Sequence, residues 1–146
     1  MNYSSLLKQY NSLLIGRELT DLANTTAFLY ENLADINWVG FYLFEDNCLY
    51  LGPFQGRVAC TTIPISKGVC GKAAREQKTT VVPNVHEFEG HIACDSRSQS
   101  EVVIPLVKNN ILVGVLDIDS PSLNRFNNAD EIIFLEQIVQ SLIISK

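Results

Sequence analysis

Residues 101–119 read EVVIPLVKNNILVGVLDID. Two apolar runs, 101–107 and 111–119, flank Lys108, Asn109 and Asn110. Asparagine tolerates the positive φ that tight hairpin turns require, so the runs are expected to pair as an antiparallel hairpin. That pairing sets Glu101 opposite Ile118. The second run ends unusually, because Asp117 and Asp119 continue an apolar strand two residues apart. Side chains so spaced share a face, here the face assigned to Val113 and Val115. Two carboxylates on an apolar face are costly unless they are solvated or hold a cation between them. Glu101 enters at the same end of the hairpin, so three carboxylates are expected to line one pocket. Such a group suits an ammonium ion, a metal ion, or a carboxyl kept neutral by like-charged neighbours. The simpler alternative is that the strand has already ended and the SPS run at 120–122 follows a solvated turn.

The preceding run, HIACDSRSQS (91–100), sets Cys94 among polar residues. Its thiol is expected to be reachable by water, with Arg97, His91 and His86 as cations able to lower its pKa from a free value of about 8.5. An unreactive loop cysteine is the alternative. Cys60 ends an apolar segment. Cys70 falls near the start of a short predicted helix, 69–77, where the helix dipole favours thiolate. Buried inert thiols are the alternatives for both. Cys48, beside Leu49 and Tyr50, is assigned to the core. His86, His91 and Cys94, with Cys60 or Cys70, have spacings compatible with zinc, but neither C-x-x-C nor H-x-x-x-H occurs. Trp38 and Tyr42 lie four apart in a strand-like run and so could wall a small apolar pocket; ordinary core packing is the alternative. SKGVCGKA (66–73) lacks the phosphate-loop arrangement.

A chain of 146 residues builds one domain with a real core. Apolar residues make up 47% and charged residues 18%, the composition of an ordinary globular protein. The net charge is −5, with no basic cluster, which argues against nucleic acid and anionic membrane as partners. The start MNYSSLLKQY does not read as a signal peptide. No apolar run approaches the ~20 residues of a membrane span. The expected compartment is the cytoplasm, where structural disulfides are rare and four cysteines suggest core, metal or redox roles.

Helical spacing predicts a first helix over 4–15, ended by Gly16. A second is predicted to about residue 33, capped by Thr20 or Asp21. Strands are predicted over 37–44, 48–54, 57–65 and 79–82, the first two joined by a turn at Glu45, Asp46 and Asn47. Residues 84–95 read as a loop over a cavity. A last helix starts at Asn128, with Glu131 in capping-box position, and turns Ile132, Leu135, Val139 and Leu142 inward. The result is an α+β domain with helices at both ends of a largely antiparallel sheet.

Six segments, NWVGFYL, LGPFQGRVAC, IPISKGVCGKAA, VVPNVHEFEGHIACDS, SEVVIPL and GVLDIDSP, span residues 37–121. In them the chain resembles the free methionine-(R)-sulfoxide reductases, which are single GAF domains. The resemblance implies one GAF domain over residues 1–146, with about six antiparallel strands and terminal helices packed on the sheet. It implies that Cys60, Cys70 and Cys94 are the active-site cysteines and that Trp38, Tyr42, Glu101, Asp117 and Asp119 surround the substrate. The implied reaction is reduction of free L-methionine (R)-S-oxide. Cys94 attacks, Cys60 forms a disulfide with it, Cys70 relays or substitutes, and thioredoxin restores the thiols. It implies no cofactor and no metal, and suggests a homodimer. A non-catalytic GAF module that binds a small ligand or senses redox state is the competing reading.

Overall fold

The computed structural model describes residues 1–144. Its elements are α1 (Tyr3–Leu13), α2 (Glu18–Asn32), β1 (Trp38–Glu45), β2 (Cys48–Gly56), β3 (Thr62–Pro64), α3 (Gly68–Glu76), β4 (Thr80–Val82), β5 (Ser100–Lys108), β6 (Ile111–Ser120) and α4 (Ala129–Ile144), with a single 3-10 turn at Val85–Glu87. The six strands form one antiparallel sheet in the order β3-β2-β1-β6-β5-β4. Both predicted tight turns appear: Asp46 and Asn47, and Asn109 and Asn110, all have positive φ, as two-residue hairpin loops demand.

The two faces of the sheet have different tasks. On one, Val39, Phe41, Val102, Ile104, Leu116 and Ile118 pack against α1, α2 and α4 through Tyr10, Leu29, Phe134, Leu135 and Ile138. On the other, Trp38, Tyr42, Val103 and Val115 pack against Val69, Ala73 and Ala74 of α3. Central strand β1 is therefore apolar on both sides, which is why NWVGFYLF shows no alternation. Alternation in β5 and β6 does the rest. With Val102, Ile104, Leu116 and Ile118 turned to the helices, Glu101, Asp117 and Asp119 must face the α3 side.

Several expectations are corrected. The 101–119 hairpin carries a bulge: Leu106 pairs with Gly114 but Val107 with Leu112, leaving Val113 unopposed. Beyond the bulge the register moves by one residue, so Glu101 faces Asp119 and not Ile118. The same extra residue turns Val113 to the helix face, away from Val115 and the aspartates. The predicted strand over 57–65 shrinks to Thr62–Pro64, because residues 57–61 leave the sheet to fold over the α3 side. Helix α2 starts at Glu18 with no side-chain cap. Asp21 instead turns back, buried, to accept hydrogen bonds from the N–H groups of Ile15 (3.0 Å) and Gly16 (2.9 Å). Asn128 does cap α4, accepting from the N–H groups of Asp130 and Glu131. The Glu131 side chain pairs with Arg125 rather than closing a capping box. Cys48 is half-buried at the start of β2, not in the core.

Candidate active site

A cavity opens on the α3 side of the sheet. Its lining includes Trp38, Tyr42, Cys70, His91, Cys94, Glu101, Asp117 and Asp119. These residues come from β1, α3, the loop after the 3-10 turn, β5 and β6. Neighbouring strands do most of the positioning. Trp38 and Glu101 both pair with Asp119 across the sheet, and Asp117 pairs with Gly40 and Val103. Trp38 and Tyr42 share a face as expected and stack at 5.9 Å between ring centroids.

The rings also hold a loop that the sequence placed in a strand. Trp38 Nε1 donates to the Arg57 carbonyl (3.1 Å), and Tyr42 Oη donates to the Cys60 carbonyl (2.9 Å). Burial, reinforced by the Asp117 charge, pushes the Tyr42 phenol far up, so it stays a neutral donor. Cys60 so placed is bonded to Cys94 in a disulfide, with Cα atoms 5.6 Å apart. Cys94, Val58 and Ala59 line the cavity and Cys60 does not, so the bond joins two loops that both contribute to the cavity wall.

Three carboxylates do converge. Burial pushes the Asp117 carboxyl well above the usual range, and the Asp119 and Glu101 charges push it further. Asp119 moves the same way, first by burial and then by the Glu101 charge. Asp117 is 5% exposed, and its Oδ1 has no hydrogen-bond partner. A buried acceptor without a donor is costly, so this oxygen is left able to accept from a donor group entering the cavity.

Two thiol expectations change. Cys70 sits in the first turn of α3, but the helix dipole does not prevail there. Burial and the charges of Asp117, Glu101 and Asp119 push its thiol well up, and it lies 4.0 Å from Glu101 Oε2 as a weak donor. Arg97, proposed as the cation beside Cys94, bonds Asp95 instead at 2.9 Å and holds the Asp95 carboxyl down at about 2. The zinc quartet does not assemble. His86 bonds Gln99 (3.0 Å), His91 lies 3.7 Å from Glu101, and Cys60 and Cys94 bond each other.

Asn37 was missed as a site residue. Its buried amide donates to Asp95 (3.2 Å) and Ser98 (3.1 Å), and its backbone N–H donates to the Asp119 carbonyl (2.9 Å). It thereby ties the Cys94 loop to the carboxylate strand. A polar residue opening a fully apolar strand was the available signal.

Comparison with known proteins bears on this arrangement. The GAF domain family model matches residues 17–145. A free methionine-R-sulfoxide reductase of Escherichia coli (strain K12) is 53% identical over 131 residues, covering 88% of this chain and 79% of that protein. The chain belongs to the free methionine-R-sulfoxide reductase family. Solved structures of this family superimpose closely. The fRMsr of Staphylococcus aureus in complex with substrate matches with TM-score 0.93 and 49% identity, over 99% of this chain and 95% of that one. The Neisseria meningitidis free methionine-R-sulfoxide reductase, also in complex with its substrate, matches with TM-score 0.93 and 39% identity, over 98% and 87%. The expected GAF fold is thus the observed one. Among the described residues, no helix is long and apolar enough to cross a membrane.

Proposed function

We propose that this protein reduces free L-methionine (R)-S-oxide to L-methionine, with Cys94 as nucleophile and Cys60 as resolving thiol. One observation carries the reading: a disulfide-forming cysteine and three carboxylates face one cavity walled by Trp38 and Tyr42. In the reduced protein the Cys94 thiolate attacks the sulfoxide sulfur while the oxygen takes one proton. The substrate S–O bond breaks as the hydroxyl passes to the Cys94 sulfur, so methionine leaves and Cys94 becomes a sulfenic acid. The Cys60 thiol displaces water from it, forming the Cys60–Cys94 disulfide. Two electrons have passed from two thiols to the sulfoxide, and the oxygen leaves as water. Position supports this division of labour, since Cys94 lines the cavity and Cys60 is not among its lining residues. Cys70, buried and held neutral, is a poor first nucleophile.

Asp117 and Asp119 hold the substrate ammonium, and Glu101, or Asp119 in its protonated form, assists the sulfoxide oxygen. An elevated carboxyl pKa suits the second task, because a proton donor must still carry its proton at working pH. Trp38 and Tyr42 take the S-methyl end. A peptide-bound methionine sulfoxide lacks the ammonium and would leave buried carboxylates unpaired, so free amino acid is selected. Thioredoxin reopens the disulfide by thiol exchange, which places the protein in the reducing cytoplasm.

The chain works as a homodimer, for which the exposed Leu13, Ile15 and Leu19 around the α1–α2 junction are the candidate surface. Light scattering reads that directly, and a monomer at micromolar concentration would reject it.

The deciding experiment is thioredoxin-coupled NADPH oxidation. Turnover is expected with the R epimer of free methionine sulfoxide, not with the S epimer or with a peptide-bound residue. Cys94→Ser is expected to abolish it. Robust turnover by Cys94→Ser would move the nucleophile to another thiol, and turnover of neither free epimer would overturn the function itself.

A further inference from the structure

Cys70, expected only to relay or substitute in the reaction, lies inside the carboxylate cluster. Cys70, Glu101 and Asp117 are all buried, and each brings a donor atom to within 4.8 Å of the others. Asp117 Oδ1 is buried and unpartnered. His91 Nε2 stands 3.7 Å from the Oε1 of Glu101 and is not one of the three converging donors. The cavity they line offers about 40 Å³, above the roughly 10–15 Å³ that one water needs on the same measure.

We propose that Cys70, Glu101 and Asp117 form a binding site for a borderline divalent transition metal ion, Zn²⁺ above all, with a water as the fourth ligand. The donor set selects the ion. A thiolate with two carboxylates is a zinc donor set, whereas Mg²⁺ and Ca²⁺ take oxygen throughout. Tetrahedral zinc, with bonds of roughly 2.0–2.3 Å, sets neighbouring donors about 3.5 Å apart. The Cys70–Glu101 separation of 4.0 Å closes to that value by small side-chain rotations. Binding displaces the Cys70 S–H proton and any carboxyl proton to solvent, and no electrons move. The site uses neither Cys60 nor Cys94, so it is available while their disulfide is closed. It occupies Asp117, assigned above to the substrate ammonium, and Glu101, assigned to the sulfoxide oxygen, so metal and substrate exclude one another. That last consequence rests on the proposed reaction; the metal site does not.

The test uses the disulfide form carrying Cys48→Ser, in which Cys70 is the one free thiol. Zn²⁺ titration calorimetry in a weak buffer is expected to give about one zinc per chain with release of protons. Adding Cys70→Ser or Asp117→Asn is expected to weaken binding at least about tenfold, the loss that even outer-sphere partners cause. Co²⁺ is expected to give a near-ultraviolet thiolate-to-metal band that Cys70→Ser removes. Absence of saturable binding by the Cys48→Ser disulfide form would overturn the site. So would affinity and a cobalt band unchanged by Cys70→Ser. Loss of reductase activity would leave the metal result standing, so the two proposals fail separately.

Discussion

At the residue scale the molecule is governed by the conflict around Asp117 and Asp119. Both carboxyls hold protons more tightly in the fold than in the unfolded chain. Between the unfolded value of about 3.9 and the raised folded value, the native state binds more protons. Stability contributed by these groups is therefore complete below the unfolded pKa and is lost as pH rises through the folded one. Unfolding midpoints in urea, measured from about pH 4 upward, are expected to fall across this window. Asp117→Asn is expected to flatten the fall and to raise stability at neutral pH. It is also expected to raise KM roughly 10–100-fold, the worth of a hydrogen bond to a charged group. A variant that keeps the wild-type pH slope would show that Asp117 is ionised throughout.

At the scale of elements, β1 works because Gly40 has no side chain. A Cβ there would lie 2.5 Å from Trp38 Cη2 and 2.4 Å from the Cβ of Phe54. The Trp38 ring lies across this glycine and stacks on Phe54 at 5.4 Å. Gly40→Ala is expected to destabilise the fold by about 1–3 kcal/mol through overpacking and to shift the emission of the single tryptophan. An unchanged spectrum and midpoint would mean that the ring yields without cost. Most elements were readable in the sequence because their signals are local: Asn109-Asn110 for the hairpin, Asn128 for the α4 cap, helical spacing for Leu135, Val139 and Leu142. The bulge at Val113 was not readable. Either register keeps apolar residues on both faces of β6 near the turn, so pattern alone does not choose between them. Residues 57–61 were misread for a related reason. Val58 and Ala59 have strand-like character, but Val58 is 87% exposed, and the segment is held by the polar tips of Trp38 and Tyr42, far away in the chain.

For the whole molecule, the Cys60–Cys94 bond closes a loop of 34 residues. Loop-entropy arithmetic gives such a link roughly 3–4 kcal/mol of stabilisation through the unfolded state. The oxidised protein is expected to unfold at higher denaturant than the reduced one by up to that amount, and Cys94→Ser is expected to show no dependence on reductant. Equal midpoints for both redox forms would mean that strain in the closed form cancels the entropic gain. In the proposed cycle, reduction of this bond would untie the 57–61 and 84–95 segments, which the disulfide links.

The sequence by itself determined most of the strands, the hairpin turns, the three carboxylates and the inventory of thiols, because each is written in neighbours a few residues apart. Tertiary structure alone decided that Glu101 faces Asp119, that Cys94 and not Cys60 lines the cavity, and that Arg97 serves Asp95 rather than the thiol. It also reversed the expected bias of Cys70. A helix dipole is a local property of α3, whereas burial and three carboxylates from β5 and β6 reach that sulfur only once the sheet has formed.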